Sequence, residues 1–413
     1  MTPAFLSLAG LLAAIVLSCF TPVNVGLLSI ALAFLIGYFS AGWKLAAIVA
    51  GFPTSLFLTL LGVMLLFSQA STNGTLDKLA RYSIRLARGN RGVIPLIFYV
   101  FAIVLGACGP GNIAACALLA PVAMNIAAQT GIGAFLMTLM VANGANAGTF
   151  SPIAPSGIIA NNLMAGIGLS GMEWPNFWNT LAAQTIIALA AYAAFGGLRL
   201  LRSGRATLAV DAVEPLHPKQ RLTVAVIAGL VLAVILFGVD VGMASFLAAA
   251  LLSIFRAADE KATLRAVPWN VILLVCGVTM LIYVMDKTGG MDLFTDFLAG
   301  ISGPRYIPAA MALVTGIISV YSSSSGVVLP AFLPTIPGLI SRLGAGNPLM
   351  IAYSINVGSH LVDVSPLSTL GAMCLAAAPE HEDKDRLFRR LLLWGWSMAF
   401  VGAVLCQLLF GYR

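Results

Sequence analysis

Two clusters of Gly, Asn, Ser and Thr interrupt otherwise apolar sequence. The first opens with Gly109-Pro110-Gly111-Asn112 and resumes at Asn143, Asn146, Thr149, Ser151 and Ser156. The second opens with Ser322-Ser323-Ser324-Ser325 and resumes at Asn356, Ser359, His360, Asp363, Ser365, Ser368 and Thr369. Neutral oxygens of this kind suit a hard cation such as sodium better than a transition metal. Helix starts next to such residues suit an anion. No charged residue lies between Arg91 and Glu173, so the first cluster is not a surface loop. Broken backbone in hydrocarbon has to line a protein-enclosed cavity. The pattern therefore predicts a polar binding site inside a membrane.

Asp363 is the only acid in either cluster, with His360 one helical turn before it. A carboxylate at mid-helix depth costs about 2.5–3.5 kcal/mol on insertion scales, so it must face a cavity or a partner. Three roles are open: a mutual hydrogen bond with His360, proton coupling, or contact with an anion. A hydrolase can be drawn from Ser359, His360 and Asp363, or from any serine of 322–325 with that histidine, but neither offers an order of nucleophile, base and orienter that can be argued from sequence.

The elements that carry these residues follow from composition. The 413 residues are 60% hydrophobic and 9% charged, with mean hydropathy +0.98. Soluble domains carry roughly 25% charged residues, so the chain is expected to be all-α and polytopic, without a soluble domain or nucleic-acid module. Thr2–Phe20 lacks a basic leader and reads as a first span. The six cysteines lie in apolar runs with no CxxC, as packing residues do. Thr75 to Arg88 forms a basic amphipathic segment suited to the interface plane.

The plan occurs twice. Residues 1–200 hold a hairpin at 93–129 and a broken helix at 133–165, and 221–413 hold a hairpin at 305–342 and a broken helix at 347–378. Residues 201–220 connect them. Pro53 pairs with Pro268 and Asn143 with Asn356, and the step from tip to break, Asn112 to Asn143 or Ser325 to Asn356, is 31 residues both times. Five crossings per half would invert the second half relative to the first, with hairpins entering from opposite faces. Of the 22 Lys and Arg, 17 fall in Lys78–Arg91, Arg199–Arg221, Arg256–Arg265 and Lys384–Arg390. The positive-inside rule makes that side cytoplasmic and places both termini outside. Inverted repeats with discontinuous helices are the architecture of secondary transporters.

The runs Gly106–Ala123 and Asn146–Gly157 resemble the ion transporter superfamily, and within it the divalent anion/sodium symporter branch with its MatC-type dicarboxylate (malonate) carriers. The resemblance implies an elevator-type homodimer in the cell (inner) membrane that carries a small dicarboxylate with sodium. It implies a scaffold from spans near 1–71, 177–256 and 388–411, around moving hairpins and broken helices. That branch carries Ser-Asn-Thr at each hairpin tip; Asn112 matches it at the first, and Ser323 to Ser325 offer hydroxyls at the second. The expected substrate contacts are Gly111, Asn112, Thr149, Ser151, Ser324, Ser325 and Ser365. The expected cation ligands are Gly109, Asn112, Asn143, Asn146, Ser322, Ser323, Asn356 and Ser359, with His360 and Asp363 for coupling or gating. Beyond bound sodium no cofactor is expected, and beyond the anion, the bilayer and a second copy no partner. Dicarboxylate exchange, proton coupling, cation/proton antiport and a passive channel are the alternatives.

The charge split predicts labelling. A cysteine placed at Arg88 or Arg205 should react only from the cytoplasm, and one at Arg305 or Arg413 only from outside. Reaction of positions 88 and 305 from one side would contradict the inverted layout.

Overall fold

The computed structural model describes residues 2–20, 23–84, 90–202, 214–301, 303–379 and 382–411. Arg85, Arg88, Arg205, Arg413 and most of the connector lie outside these residues. The described chain is helical, with no strand. Its first half runs α1 (Pro3–Phe20), α2 (Val25–Leu35, continued by a π-helical turn Ile36–Ser40), α3 (Leu45–Val49), α4 (Thr54–Thr72) and α5 (Thr75–Ile84). The first hairpin follows as α6 (Val93–Ala107) and α7 (Gly111–Thr130), then α8 (Ala134–Gly148), α9 (Pro155–Gly166), α10 (Glu173–Ala194) and α11 (Gly197–Arg202).

The second half runs α12 (Pro218–Phe237), α13 (Val241–Ile254), α14 (Glu260–Ala266), α15 (Trp269–Lys287) and α16 (Gly290–Ile301). Its hairpin has α17 (Ile307–Ser319) as one arm. The other arm is a run of a π turn (Ser324–Val328), α18 (Leu329–Phe332), a 3-10 turn (Leu333–Thr335) and α19 (Ile336–Leu343). Last come α20 (Pro348–Leu361), α21 (Thr369–Ala376) and α22 (Lys384–Phe410). Among the described residues, five helical runs are long and apolar enough to cross a membrane alone: α4, α7, α15, the arm 324–343 and α22.

Local sequence explains the shared pattern. Asn24 caps α2 by accepting from Gly26 N and Leu27 N, and Asp240 caps α13 at the matching place by accepting from Met243 N. Pro53 and Pro268 precede α4 and α15. The returning arms differ because proline lacks an N–H and crowds the preceding turn. α7 tolerates its single Pro121, whereas Pro330, Pro334 and Pro337 divide the second arm into short pieces.

α4 packs against α13, and α15 packs against α2. Both crossings depend on glycine. A Cβ on Gly26 would lie 2.0 Å from Leu273 O, and one on Gly277 2.1 Å from Gly26 O. Correspondingly, a Cβ on Gly62 would lie 2.5 Å from Gly242 O, and one on Gly242 2.7 Å from Thr59 Cα. Close backbone approach through small residues is how helices pack tightly in lipid.

Two expectations need correction. The breaks are shorter than the polar clusters: they span 149–154 and 362–368. Asn143 and Asn146 lie within α8, and Asn356, Ser359 and His360 within α20. A side-chain amide can stay in a helix by bonding one turn back, as Asn143 Nδ2 does to Leu139 O at 2.8 Å. The expected scaffold also changes. α10 packs along α8 and reaches α20, and α22 packs on α17 and α20, so both belong with the hairpins. Gly277→Val should lower thermal stability in detergent by about 1–3 kcal/mol or more through overpacking. Gly229→Ala, where an added Cβ meets nothing within 4 Å, should leave the melting temperature unchanged.

Candidate functional site

The first hairpin turns at Gly109 (φ 121°) and Gly111 (φ 76°), a left-handed backbone that favours glycine. A Cβ on Gly109 would also lie 1.9 Å from the Phe67 ring, so the tip lies flat against α4. Pro110 holds the cap position of α7 and makes no side-chain cap bond. Asn112 instead bridges: its Oδ1 accepts from Ile113 N at 2.9 Å and its Nδ2 donates to Asn146 Oδ1 at 2.8 Å. At the second tip the cap is Ser323, not Ser325, accepting from Gly326 N at 3.1 Å.

The tips and breaks form one hydrogen-bonded layer. Asn146 Nδ2 donates to His360 O at 2.9 Å, joining the broken end of α8 to that of α20. Thr149 Oγ1 donates to Ser156 Oγ at 3.0 Å, Ser156 Oγ lies 2.7 Å from Ser325 Oγ, and Ser325 Oγ lies 3.2 Å from His360 Nε2. His360 Nδ1 faces Ser359 Oγ at 3.0 Å and Asn356 O at 3.1 Å, and the imidazole meets the Phe150 ring edge-on with centroids 4.6 Å apart. Ser324 Oγ lies 2.5 Å from Asp363 Oδ1 and 3.0 Å from Ser359 O, while Ser368 Oγ bonds Asp363 O. The carboxyl of Asp363 thus meets Ser324, and the ring of His360 meets other groups. Neither a His360–Asp363 side-chain bond nor a Ser-His-Asp chain is among these contacts: His360 meets Ser325 at Nε2, and Ser359 Oγ and Asn356 O at Nδ1.

In front of this layer lies a cavity of about 290 Å³ between the two tips, near the lower end of volumes typical of small-molecule sites. Four helix starts line it: Gly111 and Asn112 of α7, Pro155 and Ser156 of α9, Ser324 and Ser325 of the second arm, and Thr369 and Leu370 of α21. Among the described residues its lining contains no Lys, Arg or His, and one acid, Asp363. It extends along α4 past Leu76 towards Ala266 and Pro268, beside the basic stretches around Lys78 and Arg265.

Of the expected substrate contacts, Gly111, Asn112, Ser324 and Ser325 line the cavity. Thr149, Ser151 and Ser365 are buried behind it. Of the expected cation ligands, Gly109, Asn112, Ser322 and Ser323 line it. Asn143, Asn146, Asn356 and Ser359 are fully buried in the helices behind, as is His360. Asn356 Nδ2 donates to Asn176 Oδ1 at 2.8 Å. The matching amide oxygens Asn143 Oδ1 and Asn356 Oδ1 are buried without a hydrogen-bond partner among the described residues. Phe67, Ser68 and Ser71 of α4 also line the cavity. The motif reading passed over them, although serines at the end of an apolar span were a usable signal.

Residues 1–149 match the family model of the dicarboxylate carrier protein MatC N-terminus. Among solved structures, the fold is similar to the crystal structure of the Alcanivorax borkumensis YdaH transporter. The TM-score is 0.59 at 16% identity, over 91% of this chain and 89% of that one. Neisseria gonorrhoeae MtrF, described as illuminating a class of antimetabolite efflux pumps, is similar with a TM-score of 0.58 at 15% identity, over 99% of this chain and 95% of that one. No curated protein sequence matches the chain. The fold is one shared with membrane transporters.

Asn146→Ala would remove the bonds to Asn112 and His360 together, leaving the Asn112 amide without its acceptor and His360 O with only the 3.4 Å contact from Asp363 N, at a cost of about 1–3 kcal/mol. The variant should melt clearly lower in detergent than Ser151→Ala, whose Oγ makes only a 3.5 Å contact with Ile153 N. Equal melting of the two variants would contradict the network.

Proposed function

We propose that the chain is a secondary transporter that moves a small dicarboxylate, of malonate or C4 type, across the inner membrane. The observation that carries this reading is the convergence of four helix starts on one cavity with no basic residue among the described residues that line it. Each helix N-terminus presents unpaired N–H groups and the positive end of a dipole, which together bind anions without a buried base. Four such ends around one cavity suit an anion with more than one carboxylate. The MatC match over residues 1–149 supports a dicarboxylate. The paired tips and breaks support alternating access, with an elevator-type movement in a homodimer following from the family resemblance.

The duplicated caps and glycine crossings support two halves of one plan, and the charge split supports their inversion. Under that layout the cavity opens towards the cytoplasm, because it reaches Leu76, Ala266 and Pro268. Import of a dianion against an inside-negative potential costs ~2.3 kcal/mol per charge per 100 mV, so at least two co-transported cations or a counter-anion are needed. The unpartnered amide oxygens of Asn143 and Asn356 are ligands of the type that hold sodium.

Purified protein in proteoliposomes should show saturable uptake of labelled malonate or succinate when sodium, proton or counter-anion gradients are imposed one at a time. Asn112→Ala and Ser325→Ala should reduce that uptake several-fold to ~100-fold, as loss of hydrogen bonds to a charged ligand does. Failure to take up malonate, succinate or citrate under every gradient would rule out the proposal.

A further inference from the structure

We infer, resting on the anion-transport reading above, that Asp363 is a proton-binding site and that one cation moving with the anion is a proton held on its carboxyl. Two independent features of the geometry lead there. The first is charge. The site proposed for an anion has one formally charged side chain in its lining, and that side chain is an acid. An entering carboxylate is repelled by an ionised Asp363, and no basic residue in the lining offsets the repulsion.

The second feature is a count of hydrogens. Ser324 Oγ lies 2.5 Å from Asp363 Oδ1 and 3.0 Å from Ser359 O. A hydroxyl has one hydrogen, a backbone carbonyl only accepts, and an ionised carboxylate only accepts. With an ionised Asp363, one hydrogen serves two acceptors. With a protonated Asp363, the carboxyl donates to Ser324 Oγ and Ser324 donates to Ser359 O. That chain ties the second hairpin tip to the broken end of α20. Protonation therefore removes the charge that opposes the anion and completes the bonds that hold the tip. Binding of each favours the other by the same factor.

Among the described residues, no other titratable group lines the cavity with Asp363. α4, α7, α9, α15, α21 and the second tip contribute apolar, hydroxyl, amide or glycine residues to the lining. On α20, His360 has both ring nitrogens in contact with serine hydroxyls. The Cys116 and Cys374 thiols face each other at 3.6 Å in the buried α7–α21 contact. Near the mouth, Asp77 is half-buried and Arg265 exposed, and neither lines the cavity.

The test is calorimetric titration of the purified full-length protein with malonate and with succinate. Buffers of different ionisation enthalpy, from about pH 6.5 to about pH 8.5, give the net protons taken up per anion bound. Wild type should take up close to one proton per anion towards the alkaline end, and its affinity should fall up to about tenfold per pH unit there. Asp363→Asn, checked for an intact melt, should lose the proton uptake and flatten the pH dependence, while Asp363→Glu should retain both. The wild-type proton count decides the matter even if the asparagine variant does not fold. Anion binding without proton uptake would overturn the assignment while leaving anion transport in place. So would uptake that survives in Asp363→Asn or disappears in His360→Gln. Failure of both anions to bind at any pH, with and without sodium, would instead strike the anion reading itself.

Discussion

The structure depends on one constraint: backbone exposed by a broken helix inside hydrocarbon must find its partners within the protein. α8 and α20 end side by side, and their last carbonyls cannot be paired within their own helices. Side chains from other elements supply donors, one from the opposite half and one from the neighbouring tip. Asn146 reaches across to His360 O, and Ser324 of the second tip reaches Ser359 O. The first tip is held by the Asn112–Asn146 amide pair. Satisfying the broken ends thus fixes both tips, and the space left between the tips is the cavity.

That arrangement also sets the electrostatics. The ends of α8 and α20 point into the buried layer, whereas the starts of α7, α9, α21 and the second arm line the cavity. Under the function proposed above, their dipoles and N–H groups would hold the anion, with a field that falls off within about the first turn. Against this neutral background a single carboxyl has a large effect, because nothing nearby compensates it.

The remainder of the fold falls into two packing groups. α2 with α15 and α4 with α13 form a tightly crossed frame, with glycines placed where the backbones nearly touch. α6, α8 and α10, and likewise α17, α20 and α22, form a second group that carries the tips and breaks. α4 belongs to the frame yet supplies Phe67, Ser68 and Ser71 to the cavity, so the site lies on the seam between the groups. On the alternating-access reading proposed above, sliding of one group along the other would expose or cover a site on such a seam.

Much of this was legible in the sequence because hydrophobicity and backbone-breaking residues act locally. The apolar runs, the Gly-Pro-Gly tip, the four serines and the recurring 31-residue step mark helices, hairpins and breaks wherever they fold. Asp363 stood out for the same reason, since one acid in an apolar segment is costly on its own account. The extents of the breaks were not legible: Asn143 and Asn356 are poor helix formers in isolation, yet both stay helical once the surrounding helices bury them. Nor could spacing show that α10 and α22 join the hairpins, or that Asp363 meets Ser324 rather than His360. Those outcomes rest on contacts between residues far apart in the chain. Which side chain satisfies a given buried carbonyl is settled only when the two halves close on each other.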